Sequence, residues 1–327
     1  MSKNTSAVIG MGSIGKRHIK NLRFLYPEAS IFAISASGSN TQLPEGATAL
    51  IPLKDLIQHK PQFVIVASPS SYHIQHAEIC INAGISTLVE KPLSHCSEEA
   101  NHFLKICDAK KEVPVAVAYC LRFLPSALTV KKIIENNELG HVYHVSSSVG
   151  QFLPTWRSDK SYQNSVSAQS SLGGGVLLEL SHELDYLAWL FGDLELAHSR
   201  LQKSAELNLE VEDLADLVLI AQDGAHISVH LDFIQKSPQR TCTIIGEKGR
   251  IDWDLVANTV VLHSKNGPET IYADPTYDKN TMYLDMLRIF INPSNQEAPQ
   301  LASILSATKI VDLITEAKKK NSWRKQG

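Results

Sequence analysis

The chain has no strong excess of either charge, no Cys-x-x-Cys pair and no apolar run long enough to cross a membrane. Lys and Arg total 31 against 34 for Asp and Glu, a formal net charge of −3, which excludes capture of nucleic acid or an anionic membrane by bulk positive charge. A small-molecule partner is expected instead. The five cysteines, Cys80, Cys96, Cys107, Cys120 and Cys242, are odd in number and scattered, so they suggest neither a disulfide framework nor a zinc knuckle. No His, Asp and Glu set has convincing ligand spacing, so no metal is expected. No stretch reaches the roughly 18 apolar residues of a membrane span, and Met1-Ser2-Lys3-Asn4-Thr5 runs into a strand without an apolar signal core. Together with reduced thiols, this leads us to expect a cytoplasmic protein.

What is present has the size and rhythm of two domains. A chain of 327 residues is too long for one comfortable core. From Ala7 to Val117 short β-branched runs alternate with helical stretches: strands at Ala7–Ile9, Ser30–Ser35, Phe63–Ala67, Thr87–Val89 and Val115–Val117, and helices at Ile14–Leu25, Tyr72–Ala83 and Ser97–Lys110. That alternation predicts an α/β domain with a doubly wound parallel sheet over residues 1–122. Beyond it come a helix at Ser126–Asn136, a strand at Val142–Val149, an irregular segment and a helix at Val176–Phe191. Strands then follow at 215–221, 226–233, 241–245, 250–253, 259–263 and 270–272, with turns such as Gln222-Asp223-Gly224 and Lys265-Asn266-Gly267. Hairpin spacing predicts a second α/β domain, residues 123–327, around a large, mostly antiparallel open sheet. In the strand at 226–233, Ile227, Val229, Leu231 and Phe233 share the face for the core, while Ser228, His230 and Asp232 share the polar face, which water, substrate or another subunit must meet.

The run Val8-Ile9-Gly10-Met11-Gly12-Ser13-Ile14-Gly15 places G-x-G-x-x-G between a strand and a helix, the setting of a Rossmann dinucleotide site. Gly10 permits the tight turn, Gly12 clears the approach of a pyrophosphate, and Gly15 lets helix and strand close up. Backbone amides of Met11, Ser13 and Ile14 are left for the phosphates. At the end of the second strand, where an NAD-specific fold offers a carboxylate, the chain reads Ser35-Ala36-Ser37-Gly38-Ser39-Asn40. Small hydroxyl side chains such as Ser35 and Ser37 do not repel a 2′-phosphate, so NADP is allowed beside NAD and is weakly favoured, with Lys16 or Arg17 able to reach it.

Further on stand Ile65-Val66-Ala67-Ser68-Pro69-Ser70-Ser71-Tyr72-His73 and Leu88-Val89-Glu90-Lys91-Pro92-Leu93. With the glycine loop, these resemble the glucose–fructose oxidoreductase/inositol 2-dehydrogenase (Gfo/Idh/MocA) family of NAD(P)-dependent oxidoreductases. The resemblance covers nearly the whole chain, and Glu-Lys-Pro makes it specific. It implies that Ser68, Pro69, His73, Glu90 and Lys91 stand by the cofactor and that Lys91 acts at the reacting carbon. A strand-end ammonium can lower the pKa of a substrate hydroxyl and stabilise the alkoxide that precedes hydride loss. A cis bond before Pro92 is open.

In Gly173-Gly174-Gly175-Val176-Leu177-Leu178-Glu179-Leu180-Ser181-His182-Glu183-Leu184-Asp185-Tyr186-Leu187, helical periodicity gathers the leucines on one stripe and Glu179, His182 and Tyr186 opposite. His182, with an ordinary pKa of about 6.5, suits general acid/base work. Glu179 can orient it, or the two form an exposed pair on a polar face. The family commonly has Asp four residues before this histidine, and Asn two residues before the arginine of Tyr119-Cys120-Leu121-Arg122; this chain departs at both. Arg122 can anchor an anion on cofactor or substrate, or form an interdomain salt bridge. Asp185 matches the family pattern and can bind a substrate hydroxyl. Gln151-Phe152-Leu153-Pro154-Thr155-Trp156-Arg157, followed by Tyr162, is similar to a branch found with bacterial surface-sugar pathways. It can stack on a sugar and grip an anion, or pack over the core. The expected function is hydride transfer between nicotinamide C4 and a carbinol carbon of a sugar, sugar nucleotide or cyclitol, in a homo-oligomer (dimer or tetramer). A non-catalytic NAD(P)-binding sensor and an imine or enone reductase are the alternatives.

Overall fold

The computed structural model describes residues 5–38, 42–156, 161–293 and 300–321. Among these, no helix is long and apolar enough to cross a membrane. The chain divides into two compact units, one taking the residues up to Cys120 and those from Asn280 to Val311, the other Leu121 to Lys279 and those from Asp312 onward.

The first unit begins with β1 (Thr5–Ile9), α1 (Ser13–Leu25), β2 (Ser30–Ile34), β3 (Ala49–Leu50), β4 (Phe63–Val66), α2 (His73–Asn82), β5 (Ser86–Val89), α3 (Ser97–Ala109) and β6 (Val115–Val117). Its sheet runs β3-β2-β1-β4-β5-β6, with every pairing parallel. All four residues of β4 are buried, as an unalternating apolar strand covered on both faces must be. Strand order reverses between β1 and β4, and a crevice beyond the carboxyl ends at such a point is where ligands of this architecture bind. β1 and β4 are followed by the glycine loop and Ala67-Ser68, and β5 by Glu90-Lys91.

The second unit holds α4 (Pro125–Glu135), β7 (Val142–Gly150), α5 (Val176–Glu179), α6 (His182–Phe191), β8 (Leu194–Gln202), β9 (Leu214–Ala221), β10 (His226–Asp232), β11 (Gln239–Gly246), β12 (Gly249–Asp254), β13 (Thr259–Ser264) and β14 (Gly267–Ala273). Its eight-stranded sheet runs β14-β13-β12-β11-β7-β10-β9-β8; only β7 with β10 is parallel. Val145, Ile227, Val229, Leu231, Ile244, Ile251 and Trp253 lie on the buried face. Helices cover it: Trp253 Nε1 donates to Ser126 Oγ of α4 at 2.9 Å, and Tyr186 of α6 shares a 2.7 Å hydrogen bond with Ser147 Oγ.

The expected single helix over Val176–Phe191 is two helices. Leu180 and Ser181 part α5 from α6, with Glu183 N–H bonded to Leu180 O at 3.3 Å. Ser181, the residue before α6, makes no side-chain capping bond to that helix. The expected free polar face is also corrected, because Tyr186 is fully buried with its hydroxyl satisfied by the sheet.

Residues 280–311 return to the first unit, a return that consecutive domains split at 122 did not include. In α7 (Thr281–Ile291), Phe290 meets Phe63 edge-on at 6.1 Å. Asn280 and Asn21 exchange amide hydrogen bonds of 2.8 and 3.2 Å. Ala302 O accepts from Val117 N–H at 2.9 Å, and α8 (Ile304–Lys319) brings Ile304, Ala307 and Val311 into the core beside β6.

Candidate dinucleotide site and catalytic loop

The three glycines after β1 serve different ends. At Gly10, φ is +108°, and an added Cβ would sit 2.2 Å from Ala67 O. A Cβ on Gly15 would sit 2.0 Å from Gly10 O. Both are required by the packing of the loop itself. Gly12 is different: its φ is −70° and a Cβ there would meet no protein atom within 4 Å. The fold does not need this glycine, whereas close approach of a pyrophosphate does. Gly12 is also the N-cap of α1, provides no capping side chain, and the first turn has no acidic residue. The first amides of a helix have no intrahelical acceptor, so those of Ser13, Ile14 and Gly15 suit an anion, and the residues present fit a dinucleotide.

Lys91 follows the end of β5 and is half-buried, and its peptide bond to Pro92 is cis. Its neighbour Glu90 is buried. Glu90 Oε2 accepts from the Lys91 backbone N–H at 3.1 Å, and Oε1 accepts from His18 Nε2 of α1 at 2.6 Å. His18, fully buried, thus ties the helix of the glycine loop to the loop of Lys91. It lies edge-on to Tyr283 of α7. Burial pushes the Tyr283 phenol well above its usual range. Arg17, which sequence offered to a 2′-phosphate, lies over the Tyr283 ring at 4.7 Å.

His73 is buried, with Nδ1 2.8 Å from Pro92 O and Nε2 2.7 Å from Ser68 O. Both nitrogens face backbone, so the side chain is a strut holding the β4 and β5 loops together. Burial pushes its pKa down against the pull of those carbonyls. Ser68 Oγ lies 3.0 Å from His76 Nδ1; burial, aided by His73, lowers His76 to about 4. Ser35 and Ser37 follow β2 directly.

In the second unit, His182 is the first residue of α6 and half-buried. Glu179 closes α5, beyond the break, and accepts from Ser167 Oγ at 3.1 Å. One continuous helical face for the pair is therefore corrected. The glycines before α5 thread a narrow gap: Gly175 has φ +110°, and a Cβ there would sit 2.4 Å from Glu212 Oε1. Arg122 and Asp185, each expected to reach substrate, are both buried and face each other through two hydrogen bonds of 2.8 and 2.7 Å. Burial pushes Asp185 up, and Arg122 pulls it down. Trp156 packs edge-on against Phe233 at 5.4 Å, while its indole N–H is shielded from water and meets no acceptor among the described residues. Tyr162 donates its hydroxyl to Leu207 O at 3.1 Å. Arg157 lies outside the described residues.

Two family models match the chain. The NAD-binding Rossmann fold of the oxidoreductase family covers residues 5–119, and the GFO/IDH/MocA C-terminal domain covers residues 127–252. The chain belongs to the Gfo/Idh/MocA family of NAD-binding oxidoreductases. An oxidoreductase of Formosa agariphila is 28% identical over 250 residues, covering 74% of this chain and 76% of that protein. The inositol 2-dehydrogenase of Corynebacterium glutamicum is 25% identical over 266 residues, covering 76% and 73%. A levoglucosan dehydrogenase solved with NADH and levoglucosan shares the fold at TM-score 0.81 and 19% identity, covering 98% of each chain.

In this Gfo/Idh/MocA chain, the residues that hold others in place carry the weakest signal in sequence. His18 had a local signal: it stands three residues after the last glycine of the loop, on the face of α1 that buries Ile19 and Leu22. Glu183 and Arg240, paired at 2.6 and 2.9 Å, are 57 residues apart and gave none.

Proposed function

We propose that this chain catalyses reversible hydride transfer between nicotinamide C4 of NAD(P) and a carbinol carbon of a sugar, sugar nucleotide or cyclitol. The observation that carries the reading is Gly12, a glycine no protein atom demands, at the N-terminus of the helix that His18 ties, through Glu90, to the loop of Lys91. NAD(P) supplies the hydride acceptor. Lys91 donates a hydrogen bond to the substrate hydroxyl and stabilises negative charge on its oxygen. His182 takes and returns the hydroxyl proton, with Glu179 as its neighbour in sequence. Trp156 offers an apolar face to a sugar ring, joined by Arg157 and Tyr162. Arg122 and Asp185, paired with each other, act on substrate by holding α6. The inositol and levoglucosan enzymes among its relatives support a polyhydroxylated substrate; surface-carbohydrate metabolism is the expected setting.

The serines after β2 admit NADP as well as NAD. Five free cysteines fit the cytoplasm. The polar sheet face, with Ser146, Ser228 and His230, suits contact with a second copy.

Nicotinamide absorbance followed against a panel of cyclitols, sugars and sugar nucleotides tests the reading. Turnover in the wild type that falls by several orders of magnitude in Lys91→Ala, with NADH still bound, is the expected result. Tight NADH binding without turnover on any of them indicates a sensor. Reduction of imines or enones that survives Lys91→Ala indicates the other reductase chemistry.

A further inference from the structure

The loop that carries Lys91 ends in a group of donors that the dehydrogenase reading does not use. His95 Nδ1, Cys96 Sγ and a carboxylate oxygen of Glu99 lie within 4.8 Å of one another. His95 Nδ1 is 3.4 Å from Glu99 Oε2. Two ligands of one tetrahedral ion, each about 2.0–2.1 Å from it, are separated by about 3.3 Å. His95 Nδ1 is also shielded from water and has no hydrogen-bond partner among the described residues.

The local fold arranges these donors. Cys96 is the N-cap of α3 and Glu99 sits in its first turn, positions whose side chains meet above a helix start. Ser94, fully buried, donates to Glu99 Oε2 at 2.9 Å and accepts from Cys96 N–H at 3.3 Å, the outer support that fixes a ligand carboxylate. A surface His–Glu pair, worth only about 0.2–0.5 kcal/mol, accounts for neither the thiol nor the shielded nitrogen.

We propose that His95, Cys96 and Glu99 bind one thiophilic divalent cation of the zinc type, with the remaining position left to solvent. Nitrogen, sulfur and a single carboxylate select such an ion over magnesium or calcium. Binding replaces the Cys96 S–H bond with a metal–sulfur bond and releases the proton to solvent, so affinity rises with pH. The group has no recognisable ligand spacing in sequence, since His95 and Cys96 are adjacent and a helical turn brings in Glu99. Leu93 and Ser94, both fully buried, connect the ion to Pro92 and Lys91. An effect on turnover through that connection rests on the dehydrogenase reading; binding itself does not.

The test uses the full chain without an affinity tag. Zinc is titrated in competition with a chromophoric chelator, and cobalt is followed by its thiolate charge-transfer absorption. One ion per chain with a thiolate band is expected. Cys96→Ser should abolish the band, and Cys96→Ser and His95→Gln should each weaken zinc more than about tenfold, since losing a ligand exceeds losing an outer partner. No uptake by the wild type, or a band and affinity that persist in Cys96→Ser, overturns the site. If zinc slows nicotinamide-linked turnover in wild type but not in Cys96→Ser, the link to Lys91 is supported; binding without such an effect refutes the link and leaves the site standing.

Discussion

Alanine at each glycine of the loop separates what the fold requires from what the cofactor requires. In Gly10→Ala the residue must keep φ near +108° with its Cβ 2.2 Å from Ala67 O. Strain of roughly 1–3 kcal/mol and overpacking of roughly 1–3 kcal/mol add to a loss of roughly 2–6 kcal/mol, much of a total stability of about 5–15 kcal/mol. Gly15→Ala keeps an ordinary φ but drives its Cβ to 2.0 Å from Gly10 O, for a loss of roughly 1–3 kcal/mol or more. Gly12→Ala gains about 0.4–1 kcal/mol from the unfolded chain and gives back about 0.5–1 kcal/mol at the N-cap, where alanine is the poorer residue, so its stability should stay within about 0.5 kcal/mol of wild type. Its methyl group, however, holds a pyrophosphate away from the helix amides. Loss of two charge-assisted hydrogen bonds at about 1.5 kcal/mol each weakens NADH about a hundredfold at 1.4 kcal/mol per decade. Urea unfolding and NADH fluorescence titration of the three variants give the comparison. A Gly12→Ala protein that binds NADH as wild type does, or is as unstable as Gly10→Ala, refutes the assignment of this glycine to a dinucleotide.

Arg122→Ala or Asp185→Ala, each leaving a buried charge alone, should cost about 3–5 kcal/mol, and the double variant less than the sum; urea denaturation measures all three. His18→Ala removes the partner of buried Glu90, and a similar loss of stability should come with a drop in kcat that His18→Gln, still able to donate, partly restores; melting and kinetics check this. Stability should also depend on pH from both sides. His76, ordinarily near 6.5 and held to about 4, stays neutral when the unfolded chain takes up its proton, so stability falls as pH drops from about 6.5 to 4. His230 is raised to about 9 by Asp232 and Asp216. Its contribution is complete below about 6.5, where both states hold the proton, and is lost as pH rises through about 9. Melting temperatures of wild type, His76→Gln and His230→Gln across this range should show each slope vanish in its own variant.

The parallel sheet, the glycine loop and most hairpin strands were legible because their signals are local: β-branched runs, a fixed glycine spacing and turns such as Asp223-Gly224. β8 was not, although its inward residues Leu196, Ser199 and Leu201 are buried. A register shift between Leu196 and His198 breaks the two-residue alternation, and Ala197 and His198 are both exposed. Periodicity likewise carried the leucines of 177–187 through the break at Ser181, which a stripe of apolar residues does not register. In the candidate site, glycines and Lys91 stood out by their neighbours in sequence. The pairing of Arg122 with Asp185, 63 residues apart, and the closure of His18 on Glu90, 72 apart, are properties of the folded chain. His73 drew attention through its motif, yet its ring bonds only backbone.

The last helix has a consequence for how the polypeptide is made. The division between the units falls inside α8: Val311 packs in the core beside β6, while Ala317 O receives the hydroxyl of Ser199 and Asn321 Oδ1 the amide of Leu201. Synthesis runs from the amino end at about 5–20 residues per second, so neither unit can reach its final form on the ribosome before its own part of α8 emerges. One helix thus serves both units, and a break in the chain between Ala302 and Ile304 would take from each its share of α8 at once.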